Sequence, residues 1–169
     1  MKKRDWLRLI VAPFLGVILL DQFAKAWIRS AASLPIHAGI VSVAPLENYG
    51  VILGIGANLP VGIKILTLAT LAGFLLLFFA MIQILMTHTY PYLRIGLSVF
   101  AGGVIGNSYD RLVNNFTLDY VSIRIGSFHS SVFNLADVFQ WVGCGLIVYG
   151  LVKAWHLLYP KHETRARFL

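Results

Sequence analysis

Four long apolar runs constrain this chain more than any other feature. They lie at about residues 7–28, 63–86, 93–113 and 134–158. Crossing a bilayer takes about 20 predominantly apolar residues, and each run reaches that length. Charged residues make up 12% of the 169, against about 25% in an ordinary soluble domain. The reading is therefore a single-domain, all-α membrane protein with four transmembrane helices. Residues 30–60 differ: they hold Pro35, Pro45, Pro60, several glycines and the β-branched stretch Ile40-Val41-Ser42-Val43. These signals predict a small extramembrane β element. Residues 114–133 read as a second loop on the same side.

The first run admits two readings. Residues 9–20 alone have the size of a signal-peptide core, with Ser30-Ala31-Ala32 as a cleavage site. Extended to Ile28, the run is a full span bracketed by Trp6 and Trp27 as interfacial anchors. The retained helix is favoured.

The net charge of +7 invites a nucleic-acid reading, but the basic residues form no stripe with interleaved aromatics. They gather at the chain ends. With four spans, Lys2, Lys3, Arg4, Arg8, Arg94, Lys153, Lys161, Arg165 and Arg167 fall on one side. Lys25, Arg29, Lys64, Arg111 and Arg124 fall on the other. Nine against five puts both termini in the cytoplasm. Asp21, Asp110, Asp119 and Asp137 then converge at the outer face. The lone Cys144 has no disulfide partner, and the five histidines show no metal-site spacing. No cofactor is implied.

Acidic residues in or near a membrane are costly unless paired or functional. Asp21 and Lys25 are spaced i, i+4 and read as a helix-end ion pair. Asn107, Asp110 and Arg111 share one helix face, with Asp110–Arg111 read as a structural charge pair. Gly102-x-x-x-Gly106 reads as a packing motif, and Asn48-x-Gly50 as an ordinary turn. Asn134 and Asp137 share a face of the last helix. Asp119, placed in the loop, and Asp137 have no basic neighbour within a helical turn in sequence. Two carboxylates held close share one proton. The ionised one takes a proton from water, and the protonated one polarises a carbonyl. That is aspartyl-protease chemistry.

Five segments carry a resemblance. They are Asp21-Gln22-x-x-Lys25, Asn48-x-Gly50, Gly102-Gly103-x-x-Gly106-Asn107-x-x-Asp110-Arg111, Asp119-Tyr120 and Phe133-Asn134-x-Ala136-Asp137. In order and spacing this set resembles lipoprotein signal peptidase, or signal peptidase II. The resemblance implies a four-helix aspartyl protease of the bacterial inner membrane. Such an enzyme removes the signal peptide before a diacylglyceryl-modified Cys of a prolipoprotein, and globomycin inhibits it. The family's dyad falls on Asp119 and Asp137, and its polar site residues on Asn48, Asn107, Arg111 and Asn134. Asp21 and Asp110 fall on acidic positions that look structural, and Lys25 goes with them. Implied partners are diacylated prolipoproteins and membrane lipid, with a monomer sufficing. Leu53 stands where the family usually has an aromatic. Two rivals follow from the same residues. One is a proton-coupled transporter, against which no acid relay crosses the membrane. The other is a non-catalytic binder of lipoproteins.

Overall fold

The computed structural model describes residues 3–31, 35–50, 60–85 and 90–158, without the side chains of residues 61, 63–70 and 85. Helix α1 is continuous through an α-turn Lys3–Trp6, a π-helical stretch Leu7–Val11 and the α-helix Ala12–Ser30. Three more helices follow: α2 (Val61–Leu85), α3 (Pro91–Asn114) and α4 (Leu135–Leu158). By length and composition, Arg4–Ser30 and Leu135–Leu157 qualify as membrane spans. The irregularity in α1 has a local cause. Pro13 has no N–H to give the Leu9 carbonyl, and Ser98 Oγ of α3 donates to that oxygen at 3.3 Å.

The burial pattern is inverted relative to a soluble bundle. Asp21, Lys25, Asp110 and Asn134 are wholly buried, and Arg94 and Gln83 nearly so. Phe23, Leu77, Ile84, Trp141 and Leu157 are among the most exposed side chains. Apolar outside and polar inside is the arrangement that lipid as solvent selects.

Glycines let the helices meet. A Cβ on Gly103 would stand 2.6 Å from the Ala136 carbonyl of α4, and one on Gly150 2.7 Å from the Leu93 nitrogen. On another face of α3, a Cβ on Gly102 would stand 2.8 Å from the Phe14 carbonyl of α1. One on Gly106 would stand 2.8 Å from Asp21 Oδ2. The Gly-Gly-x-x-Gly stretch is thus two contact surfaces, Gly102 and Gly106 for α1 and Gly103 for α4.

The extramembrane part is a four-stranded antiparallel sheet in the order β1-β2-β3-β4. Strand β1 is Ile36–Ala38, β2 Val41–Asn48, β3 Thr117–Ile125 and β4 Phe128–His129. This corrects the sequence reading, which confined strands to residues 30–60 and left 114–133 as a loop. Thr117, Tyr120, Val121 and Ile123 are strong strand formers, and Gly126, at φ +59°, turns the chain into β4. The β2–β3 register shifts between Val43 and Leu46, where Pro45 has no N–H for the ladder. Beyond it Leu46 faces Asp119 and Asn48 faces Thr117.

All of Thr117, Leu118, Asp119 and Tyr120 are buried. Period-two alternation sorts them. Leu118 and Tyr120 pack on Ile28 of α1 with Leu135 of α4 beside them. Thr117 and Asp119 line a cleft. Residues 51–59, which include Leu53, lie outside the described residues, as do residues 87–89 of the 87–92 turn and the basic tail.

Candidate active site

The site begins with a helix N-terminus. Asn134 stands at the N-cap of α4, not within it as the sequence reading had it. Its Oδ1 accepts the Asp137 backbone N–H at 3.1 Å, and Asp137 Oδ2 accepts the Asn134 backbone N–H at 3.0 Å. This is a reciprocal capping box built from Asn and Asp. The other orphan donors of the first turn are met from two separate elements. The Leu135 N–H reaches Tyr120 Oη of β3 at 3.2 Å, and the Ala136 N–H reaches Asp21 Oδ1 of α1 at 3.0 Å. Position and direction of Asp137 are thereby set by α1, β3 and its own cap.

Asp119 arrives from the sheet. Strand β3 has β2 on one edge; on the other, Phe133 bonds it through Val121 N to Phe133 O at 2.9 Å and Phe133 N to Val121 O at 2.8 Å. These pairings carry Asn48 and Asn134 to opposite sides of Asp119. Asn48 Nδ2 donates to Asp119 Oδ2 at 2.8 Å, and Asn134 Nδ2 donates to Asp119 Oδ1 at 2.7 Å. Asn107 of α3 completes the set: its Nδ2 donates to Asp137 Oδ1 at 2.8 Å, and its Oδ1 accepts from Asn134 Nδ2 at 3.0 Å. Each of the four carboxylate oxygens thus accepts one amide N–H, and Asn134 bonds both acids.

Burial raises the Asp119 carboxyl above the usual carboxylate range. The bonds from Asn48 and Asn134 lower it and the charge of Asp137 raises it, burial prevailing. The Tyr120 hydroxyl, also buried, is pushed up to about 12 and stays protonated. Arg111 lies one turn beyond Asn107 and lines the same cleft. The cleft holds about 1040 Å³; its polar end is formed by both acids, and Leu71, Phe100, Val104 and Trp141 line it.

Beneath the acids is a buried charge cluster. Lys25 Nζ is 2.7 Å from Asp21 Oδ2 and 2.8 Å from Asp110 Oδ2. The expected Asp21–Lys25 pair is present, and Asp110 also faces Lys25, with Arg29 at 3.6 Å. Gln22 ties the cluster further, its Nε2 donating to the Gly106 carbonyl at 3.3 Å. The sequence reading gave no part to Gln22 or Tyr120; both stood within the quoted motifs, which were the available signal. Among the described residues, no three His, Cys, Asp or Glu side chains gather as a metal would need.

A profile of the signal peptidase II family matches residues 14–153. The chain belongs to the signal peptidase II family. A lipoprotein signal peptidase of Syntrophus aciditrophicus is 30% identical over 162 residues, covering 90% of this chain and 96% of the relative. One from Moorella thermoacetica is 31% identical over 160 residues, covering 87% and 91%. Among solved structures, one described as a bacterial membrane enzyme matches with a TM-score of 0.74 at 19% identity, over 90% of this chain and 92% of its own. That likeness bears on the fold. Membership makes the chain a membrane peptidase.

Proposed function

We propose that this protein is an aspartyl endopeptidase that removes signal peptides from prolipoproteins, with Asp119 and Asp137 as the catalytic pair. The observation that carries the reading is the bridging by Asn134. Through one side chain and one backbone N–H it holds both acids at one end of the cleft. The mechanism uses one member of the pair ionised and the other protonated. Water between them attacks the scissile carbonyl carbon. The ionised carboxylate takes the water's proton while the protonated carboxyl gives its own to the carbonyl oxygen, forming a gem-diol. Collapse of the diol breaks the C–N bond, with a proton passing to the leaving nitrogen. Asn48, Asn107 and Asn134 hold the acids, and Arg111 orients the peptide at the cleft's mouth.

The four helices act as four spans. Helices α2, α3 and α4 have 25, 24 and 24 residues; at 1.5 Å per residue each exceeds the roughly 30 Å hydrocarbon core. Both termini then face the cytoplasm, and the sheet and dyad sit at the outer face of the bacterial inner membrane. The peptide enters from the bilayer, and the diacylglyceryl chains of its modified Cys remain against lipid and the apolar cleft wall. Globomycin occupies the same cleft. The unit works as a monomer, one bundle carrying both acids and the amides that hold them.

The test is a gel shift of a diacylated prolipoprotein with the detergent-solubilised protein and its Asp119→Asn and Asp137→Asn variants. A loss of mass equal to the signal peptide with wild type alone supports the reading. Turnover near wild type in either variant would remove that residue from the pair. No shift with a folded wild type would favour binding without cleavage, or transport.

A further inference from the structure

Lys25 is wholly buried, and three oxygens lie within 3 Å of its ammonium. Two are the charged partners Asp21 and Asp110 at 2.7 and 2.8 Å. The third is neutral: Asn107 Oδ1 at 2.9 Å. That third contact leads to the dyad, because the other end of the same carboxamide donates to Asp137 at 2.8 Å.

A carboxamide is nearly symmetric in shape, so its neighbours decide which end faces which way. Lys25 can only donate, so the end facing it is oxygen. The NH₂ group is then left toward Asp137. Reversing the amide would set NH₂ against the ammonium and an oxygen against the carboxylate. Asn134 Nδ2 adds a second donor to the same oxygen at 3.0 Å, and its own direction is set by the Asp137 backbone N–H.

We propose that Lys25 is a positioning residue for the cleavage reaction: it locks the Asn107 carboxamide with its N–H toward Asp137, and so keeps a donor on that carboxylate. The proposal rests on the dyad reading above. Lys25 does not line the cleft, so it acts on the chemical step and leaves substrate binding alone. A purely structural lysine would neutralise Asp21 and Asp110 and do nothing more.

The two roles separate in a double variant. Lys25→Met leaves two buried acids without their cation and loses stability. Lys25→Met/Asp110→Asn removes one charge of each sign, so the net charge of the cluster is unchanged, while the donor to Asn107 stays absent. The full-length protein is assayed on a diacylated prolipoprotein in detergent. The double variant is expected to recover thermal stability but to keep a kcat about 10- to 100-fold below wild type, the scale of a lost hydrogen bond to a charged group. Its KM is unchanged, because Lys25 stands off the cleft.

Wild-type kcat in the double variant would overturn the proposal. Asn107→Asp tests it whatever the Lys25 variants do. It keeps an oxygen toward Lys25 but presents an acceptor to Asp137, and should show the same lowered kcat. Wild-type kinetics there would also overturn it. Failure of the dyad reading itself appears separately, as turnover in Asp119→Asn or Asp137→Asn.

Discussion

Replacing Asn134 by serine separates the helix cap from the dyad. In wild type the Asn134 side chain makes three bonds: Oδ1 accepts the Asp137 N–H, and Nδ2 donates to Asp119 Oδ1 and to Asn107 Oδ1. Serine caps helices about as well as asparagine, so the first bond survives in kind. Its hydroxyl is too short to replace the other two. The bond to Asp119 joins an amide to a carboxylate, a class contributing about 1.5–3 kcal/mol. Asn134 is fully buried, so solvent does not screen the loss. If that donor poises the pair for the transition state, Asn134→Ser lowers kcat by about 10- to 150-fold. Asn134→Ala loses the cap as well, a further ~1 kcal/mol of stability. The assays are single-turnover cleavage of a diacylated prolipoprotein and thermal unfolding in the same detergent. The expected pattern is Ala less stable than Ser, with both far below wild type in rate. A Ser variant within threefold of wild-type kcat would refute the poising role, and equal stability of Ser and Ala would refute the cap.

Gly103→Ala sets a methyl against the Ala136 carbonyl and is expected to lower stability by about 1–3 kcal/mol, whereas Gly16→Ala, with nothing within 4 Å, is expected to be neutral or stabilising; thermal unfolding distinguishes them. Asp119 has a raised carboxyl in the folded protein, so its contribution to stability is most favourable when protonated and declines as pH rises from the ordinary Asp range to the raised folded value; the Asp119→Asn variant should lack that component of the pH–stability curve. Asn48→Ala removes a donor that lowers the Asp119 carboxyl, so the limb of the pH–rate profile governed by Asp119 moves to higher pH; an unmoved limb would count against that bond. Cys144 is the single cysteine and an exposed residue lining the cleft, so a lipid-soluble maleimide should modify it in the free protein and be blocked by globomycin; equal labelling with and without the antibiotic would place the ligand elsewhere.

The helices were legible because their determinants are local. Residues 63–86 and 93–113 announce themselves by apolar length, and the helices found there differ only at their ends. The sheet was legible by half. The strand in residues 41–48 was signalled by its β-branched run and prolines, whereas 117–125 was read as a loop. Asp119 and Arg124 interrupt its apolar pattern, and both faces of its first half are buried, which erases the alternation a half-buried strand shows. The capping box at Asn134 and Asp137 was in the sequence as an i, i+3 spacing, but that spacing also fits two residues on one helix face. Only the backbone distinguishes a cap from a face.

From the sequence alone come the apolar helices, the family, and the proposal of the two acids, because each depends on residue type at a fixed spacing along the chain. The tertiary structure decided who holds them. Lys25 could be paired with Asp21 four residues away, but its contacts with Asn107 and Asp110 cross more than 80 positions and follow from Gly102 and Gly106 letting α1 and α3 close. The direction of the Asn107 amide is likewise absent from the sequence: an asparagine has a donor end and an acceptor end, and only the neighbours that packing supplies determine which end faces Asp137.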